Sequence, residues 1–193
     1  MRKAKTPHDP EKLQAILDTA LRLFNKQGFD ATPVPMIADQ AKVGTGTIYR
    51  YFKNKEELVN SLFQRCKQRM QDAIFAGAEA HQNFEARFRH YCTGTLHFAL
   101  EHPAEFAFLE LHNHEPYLNA ASRKIEDSLH GGLHRFLEEG RHAGELRNLP
   151  PTLVIALVLG AITGVFKDRH VSFKKAQVAA IVDACWVMVR AGA

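Results

Sequence analysis

The chain has 193 residues, 46% hydrophobic and 24% charged, with only 12 Gly and 8 Pro. That composition excludes collagen-like, low-complexity and wholly disordered chains and allows one or two compact domains. The net charge of +4 is concentrated at the front, where residues 1–60 hold ten Lys/Arg against seven Asp/Glu, a balance that suits an anionic partner without requiring one.

The first segment, MRKAKTPHDP, is basic but leads into no apolar run, so no secretory signal is expected. Residues 1–8 read as a flexible basic tail, in which Arg2, Lys3 and Lys5 are expected to be solvated. From Asp9 the helical signals begin. Asp9 is an N-cap, Pro10 suits the first helical position, and Leu13, Ile16, Leu17, Ala20, Leu21 and Phe24 follow at i, i+3, i+4, i+7 spacing. Gly28 is the natural stop. Pro35 opens a short helix carrying Ile37, Ala38 and Ala41, and residues 43–46 break it. Thr47 to Phe52 form another short helix, and Asn54 caps a long one running through Leu58, Leu62, Phe63, Met70 and Ile74 toward His81.

Further helices are expected at about 84–101, 103–113, 119–142, 152–169 and 173–190, punctuated by Pro103, Pro116 and Pro150-Pro151. No stretch alternates with period two, and no repeat of fixed length is present. The fold class is all-α. Its longest apolar run, Leu153 to Phe166, is interrupted by Gly160, Thr163 and Gly164. That falls short of the roughly 20 residues that cross a bilayer. Cys66, Cys92 and Cys185 are odd in number and far apart in sequence, which favours a reducing compartment with thiols acting as small apolar side chains. A soluble, cytoplasmic protein is expected.

Residues 32–58 read TPVPMIADQAKVGTGTIYRYFKNKEEL, a helix-turn-helix spacing with a tight turn near Lys42, Val43 and Gly44. Ile37, Ala38, Ala41, Val43, Ile48 and Phe52 close a miniature core under the first helix. Thr45, Thr47, Tyr49, Arg50 and Tyr51 cannot all point inward, and they make a face of hydroxyl, phenol and guanidinium groups. Such a face suits DNA: Arg can hold a guanine edge bidentately, Thr can reach a base, and Tyr and Lys suit phosphates. Gly46 allows the helix start to approach a groove closely. A surface helix that merely braces a bundle would present the same composition.

The ordered set goes further. Phe24 to Gly28-Phe29, Thr32, Ile37-Ala38, Ala41, Val43, Gly46-Thr47-Ile48-Tyr49, Tyr51-Phe52, Lys55 and Leu58 resemble the N-terminal domain of the TetR family of bacterial transcriptional regulators, over about a quarter of the chain. The resemblance implies a three-helix DNA-binding domain over residues 1–53 and a helical effector-binding and dimerisation domain over 54–193. It places Thr45 and Arg50 where members read bases, and Thr47, Tyr49, Tyr51 and Lys55 where they hold phosphates. Three positions depart from the family pattern: Pro33 replaces a capping Thr or Ser, Lys42 replaces Gly, and Gly44 replaces Ser.

The penultimate expected helix is apolar around most of its circumference, with small residues at Ala156, Gly160 and Gly164. A helix of this kind is buried on more than one side, either within one subunit or in a four-helix interface between two. Ala156, Gly160, Gly164, Ile181 and Trp186 are the candidate interface residues. The middle helices are rich in Phe and His, and Phe98, Phe106 and His112 are the candidates for an effector pocket. His130 and His134 stand at i, i+4, the spacing of two metal ligands, but the Glu of an H-E-x-x-H motif is missing. No metal, cofactor or catalytic residue is called for.

The reading is therefore a homodimeric regulator, a repressor as the family implies, that binds a palindromic operator in double-stranded DNA and is released by an unknown small-molecule effector. Two alternatives are a dimeric ligand-binding module without sequence-specific DNA binding and a small all-α metal-binding enzyme.

Overall fold

The computed structural model describes residues 9–112, 114–168, 170 and 173–192; the basic tail with Arg2, Lys3 and Lys5 lies outside them. Among the described residues the elements are helices: α1 (Pro10–Gln27), α2 (Val34–Gln40), α3 (Thr45–Tyr51), α4 (Lys55–Phe75), α5 (Phe84–Glu101), α6 (Pro103–Leu111), α7 (Ala120–His142), α8 (Pro151–Lys167) and α9 (Val178–Val189). Short 3-10 turns lie at 78–80, 115–117 and 175–177. The all-α expectation holds.

Local chemistry explains the starts and stops. Asp9 accepts hydrogen bonds from the Glu11 and Lys12 amides, and Asn54, Asn83 and Asn119 cap α4, α5 and α7 in the same way. Gly28 ends α1 at φ 79°. α4 stops at Phe75 rather than running toward His81, because Gly77 takes φ 78° and turns the chain into a 3-10 turn. The last helix begins at Val178 rather than 173, since residues 175–177 form a 3-10 turn instead.

α1, α2 and α3 pack as a small unit around Ile16, Ala20, Phe24, Ile37, Ala38 and Ile48, all buried. α4 then passes from this unit into the remaining bundle. Leu58 and Val59 at its start are completely buried, as is Leu96 of α5. α5 lies close against α4 at Gly94, where a side-chain carbon would overlap the backbone of Ala73 and Ile74. Among the described residues, all buried apolar side chains from α1 to α9 except Ala78 belong to one continuous core.

Polar ties join the front unit to the bundle and α4 to the α6–α7 connection. Asn25 donates to the Ala104 carbonyl of α6 at 2.7 Å. Asn60 of α4, 2% exposed, ties that helix to the α6–α7 connection. Its amide donates to the Glu56 and Tyr117 carbonyls at 2.7 and 2.8 Å, and its oxygen accepts from the Asn119 amide and Ser122 hydroxyl at 2.8 and 2.7 Å. A buried amide that satisfies both ends fixes geometry that hydrocarbon could not. Asn60→Ala is expected to cost roughly 2–4 kcal/mol, because four hydrogen bonds go and partners are left buried. Chemical denaturation of the variant measures this; a loss below about 1 kcal/mol would mean that water replaces the amide.

Candidate DNA-binding surface and ligand cavity

The turn before α3 is tight. The Val43 amide donates to the Ala38 carbonyl at 3.0 Å and the Lys42 amide to Asp39 at 3.1 Å. Lys42 takes φ 55°, the left-handed region in which a side chain costs about 1–2 kcal/mol relative to its usual backbone. This is why the resemblance leads one to expect Gly there. Pro33 and Gly44, at the N-caps of α2 and α3, supply no side-chain hydrogen bond.

α3 buries only Ile48. Tyr49 and Arg50 point outward, Tyr49 at 52% exposure, and no acceptor among the described residues holds the Arg50 guanidinium. Gly46 is exposed, and a side-chain carbon added there would meet nothing within 4 Å. Packing inside the chain does not demand glycine at this position. Thr45 and Thr47 are half-buried along the edge of the same face.

Two residues expected at phosphates are otherwise engaged. The Tyr51 hydroxyl donates to the Asp9 carbonyl at 3.0 Å. A phenol has one proton to give, and in this arrangement that proton ties α3 to the start of α1. Lys55 donates to the Phe29 carbonyl at 2.9 Å and lies 4.0 Å from the centre of the Phe29 ring. Two of its three protons remain for other acceptors. Neither contact could be read from spacing, because each joins residues 26 or more positions apart.

The Phe29 ring also packs on Tyr117, with centres 3.9 Å apart, while the Tyr117 hydroxyl stands 3.1 Å from both Asp30 carboxylate oxygens. The α6–α7 connection thus touches the loop between α1 and α2 as well as Asn60. Beside it, the His114 ring lies tilted against Phe108, centres 4.1 Å apart, and burial lowers its pKa, favouring the neutral ring.

A cavity of about 180 Å³ lies between α4, α5, α7 and α8 and reaches the end of α6. Phe88, Tyr91, Cys92 and Thr95 of α5 face it at i, i+3, i+4, i+7 spacing, and Lys67, Glu110 and Glu126 meet at its wall. Phe98, Phe106 and His112 do not line it. Phe98 is one turn beyond Thr95, where α6 packs on α5, and is buried against His102. Phe106 is buried edge-on to Phe166, and His112 stands beside His114. Lys67 was the legible signal, since a charge at the buried stripe of Phe63 and Met70 breaks the apolar pattern of α4.

α8 and α9 carry an exposed apolar face. Leu153 and Leu157 of α8 are 44% and 37% exposed, Val187 of α9 is 51% exposed, and Ala156, Gly160 and Gly164 are exposed between them. Ile181 lines a groove beside this face with Ala161 and Ala184. Trp186 departs from the expectation. It turns inward, 5.3 Å from Phe88 and 6.2 Å from Phe84, and is 5% exposed. Cys92 of α5 and Cys185 of α9 are neighbouring free thiols, both buried. His130 and His134 have no third ligand: among the described residues no group of three or more His, Cys, Asp or Glu could hold a metal ion. No helix there is long and apolar enough to cross a membrane.

With this geometry in hand, comparisons identify the chain. The family model for bacterial regulatory proteins of the tetR family matches residues 16–62, and that for the tetracyclin repressor-like C-terminal domain matches residues 63–191. The chain belongs to the TetR family. It is a transcriptional regulator, not an enzyme. The fatty acid metabolism regulator protein of Bacillus subtilis (strain 168) is 31% identical over 163 residues, 78% of this chain and 79% of that one. A TetR family transcription regulator from Marinobacter aquaeolei VT8 shares the fold with a TM-score of 0.82 at 21% identity, over 95% of this chain and 98% of that one. AibR, solved in complex with isovaleryl coenzyme A and operator DNA, shares it with a TM-score of 0.76 at 19% identity, over 92% and 97%.

Lys42→Gly removes the left-handed side chain, and is expected to stabilise the fold by roughly 0.5–1 kcal/mol after the entropy of glycine in the unfolded chain is counted. Thermal melting checks this. An unchanged or lower midpoint would mean that Lys42 makes compensating contacts.

Proposed function

We propose that this TetR-family chain is a cytoplasmic homodimeric repressor that binds a palindromic operator through residues about 9–53. Residues 54–193 supply the dimer contact and hold a small-molecule effector. The observation that carries this reading is the outward face of α3, where Arg50 and Tyr49 have no partner among the described residues and lie beside the exposed Gly46. A guanidinium on a short helix that its own fold leaves unused matches the bidentate guanine contact of the major groove. Thr45 stands beside it as the second base reader. Thr47, Tyr49, Lys42 and the remaining protons of Lys55 serve phosphates.

One such helix reads only a few base pairs, and a two-fold dimer doubles them at a spacing near one or a few helical turns. The exposed apolar face of α8 and α9, with Leu153, Ala156, Leu157, Gly160 and Gly164, supports pairing there. An effector in the cavity would press on α4 and the α6–α7 connection, which touch the front unit where Lys55 and Tyr117 meet Phe29. A ligand that favours a DNA-incompetent spacing weakens DNA binding, and DNA weakens the ligand equally.

Arg50→Ala is expected to cost roughly 1–3 kcal/mol and to relax base preference at one position in each half-site. Competition binding against single-base operator variants reads both effects. Uniform loss across all sequences would make Arg50 a phosphate contact instead.

Leu157→Arg places a charge in the apolar face and is expected to convert the dimer to a monomer in light scattering. Operator affinity should fall at least tenfold alongside it. A dimer of unchanged stability would move the interface elsewhere.

A further inference from the structure

The cavity wall has an unbalanced charge. Lys67 lies on the buried stripe of α4, four residues after Phe63 and three before Met70, with its side chain only 5% exposed. Its ammonium stands 3.5 Å from Glu110 Oε1 and 3.1 Å from Glu126 Oε2. Glu110 comes from the end of α6 and Glu126 from the first half of α7, so three helices converge on one cation. The Glu126 side chain is 46% exposed, but its Oε2 is shut off from solvent and accepts no aligned hydrogen bond, its contact with Lys67 being one of charge alone. No second cation among the described residues reaches either carboxylate.

Two carboxylates against one ammonium leave the cluster short of positive charge. Burial pushes the Glu110 carboxyl up from its usual range, with Lys67 pulling it down and Glu126 adding to the rise. The rest of the wall is mostly hydrocarbon, including Ile74, Leu129, Leu133, Val154 and Val158, with His130 exposed at its edge. The volume of about 180 Å³ slightly exceeds the roughly 150 Å³ of an apolar cavity that accepts benzene.

Resting on the reading of this cavity as the effector site, we propose that its ligand is a small, mainly apolar molecule bearing one ammonium group. The hydrocarbon part lies among Leu129, Leu133 and Val158. The ammonium sits on Glu110 and Glu126, on the oxygens that Lys67 leaves unused, and completes a two-against-two cluster. A carboxylate ligand would bring a third negative charge to a single ammonium in surroundings that solvate charge poorly. A neutral ligand would leave the imbalance as it is. The same ligand pulls on α6 and α7 at once, and the connection between those helices is the one that touches Phe29 and Asn60.

The test uses the full-length protein and three probes of one shape: 2-phenylethylamine, 2-phenylethanol and phenylacetate. Calorimetric titration at neutral pH measures binding. The fluorescence of Trp186, the single tryptophan of the chain and 5.3 Å from Phe88 on the wall, reports occupancy. The amine is expected to bind at least tenfold more tightly than either analogue. Glu110→Gln is expected to remove most of that preference while still binding the alcohol, which shows that the variant is folded; Glu126→Gln serves if it is not. Equal or tighter binding of the alcohol or the carboxylate overturns the ammonium assignment and leaves the cavity a ligand site. Failure of all three to bind also overturns the assignment. If, in addition, Leu133→Trp fills the cavity without altering operator affinity, the effector reading falls with it.

Discussion

The architecture depends on α4 belonging to two packing surfaces at once. At its start it is held against the helix-turn-helix unit, and farther along it forms a wall of the cavity. Two buried polar residues on this one helix, Asn60 and Lys67, hold the connection between α6 and α7 and its flanking carboxylates. Breaking either tie strands a polar group in the interior, at a cost far above that of a surface contact. The relative placement of the front unit and the bundle is therefore specified rather than loosely tolerated. The continuous core from α1 to α9 carries the same consequence.

This arrangement supplies a physical route between two surfaces that lie far apart in sequence. Tyr117 stacks on Phe29 and reaches Asp30, and Lys55 shares the Phe29 ring and carbonyl. All three contacts meet at the loop that leads into α2. A change in where α6 and α7 sit must strain these contacts or carry α4 and that loop along. Coupling of this kind needs only two arrangements of packed elements with different affinities for ligand and DNA.

Much of the fold was legible because helical periodicity and capping are local. The Asp9 and Asn54 caps, the stripe of α1 and the small core of Ile37, Ala38, Ile48 and Phe52 lie where the sequence places them. The outward orientation of Tyr49 and Arg50 follows from Ile48 being the buried residue of α3. What periodicity does not contain is which neighbour a buried face meets. Trp186 reads as an interface residue until α5 is seen to cover it. Phe98 packs beside His102 and Phe106 of α6 against Phe166 of α8, neighbours that their own spacing does not reveal. The Tyr51 hydroxyl meets the Asp9 carbonyl, a partner 42 positions away that spacing does not reveal. Lys67 shows the converse: its place in an apolar stripe marks a buried charge, but its carboxylates come from helices 43 and 59 positions away.

The most direct measurement of the central claim, a two-fold reader of DNA built on α3, is selection of bound sequences from a random duplex library by the purified protein at two salt concentrations. The account predicts a palindromic motif whose half-sites are spaced for two copies of α3, with affinity falling as salt rises. Recovery of no common motif by folded, dimeric protein would contradict it.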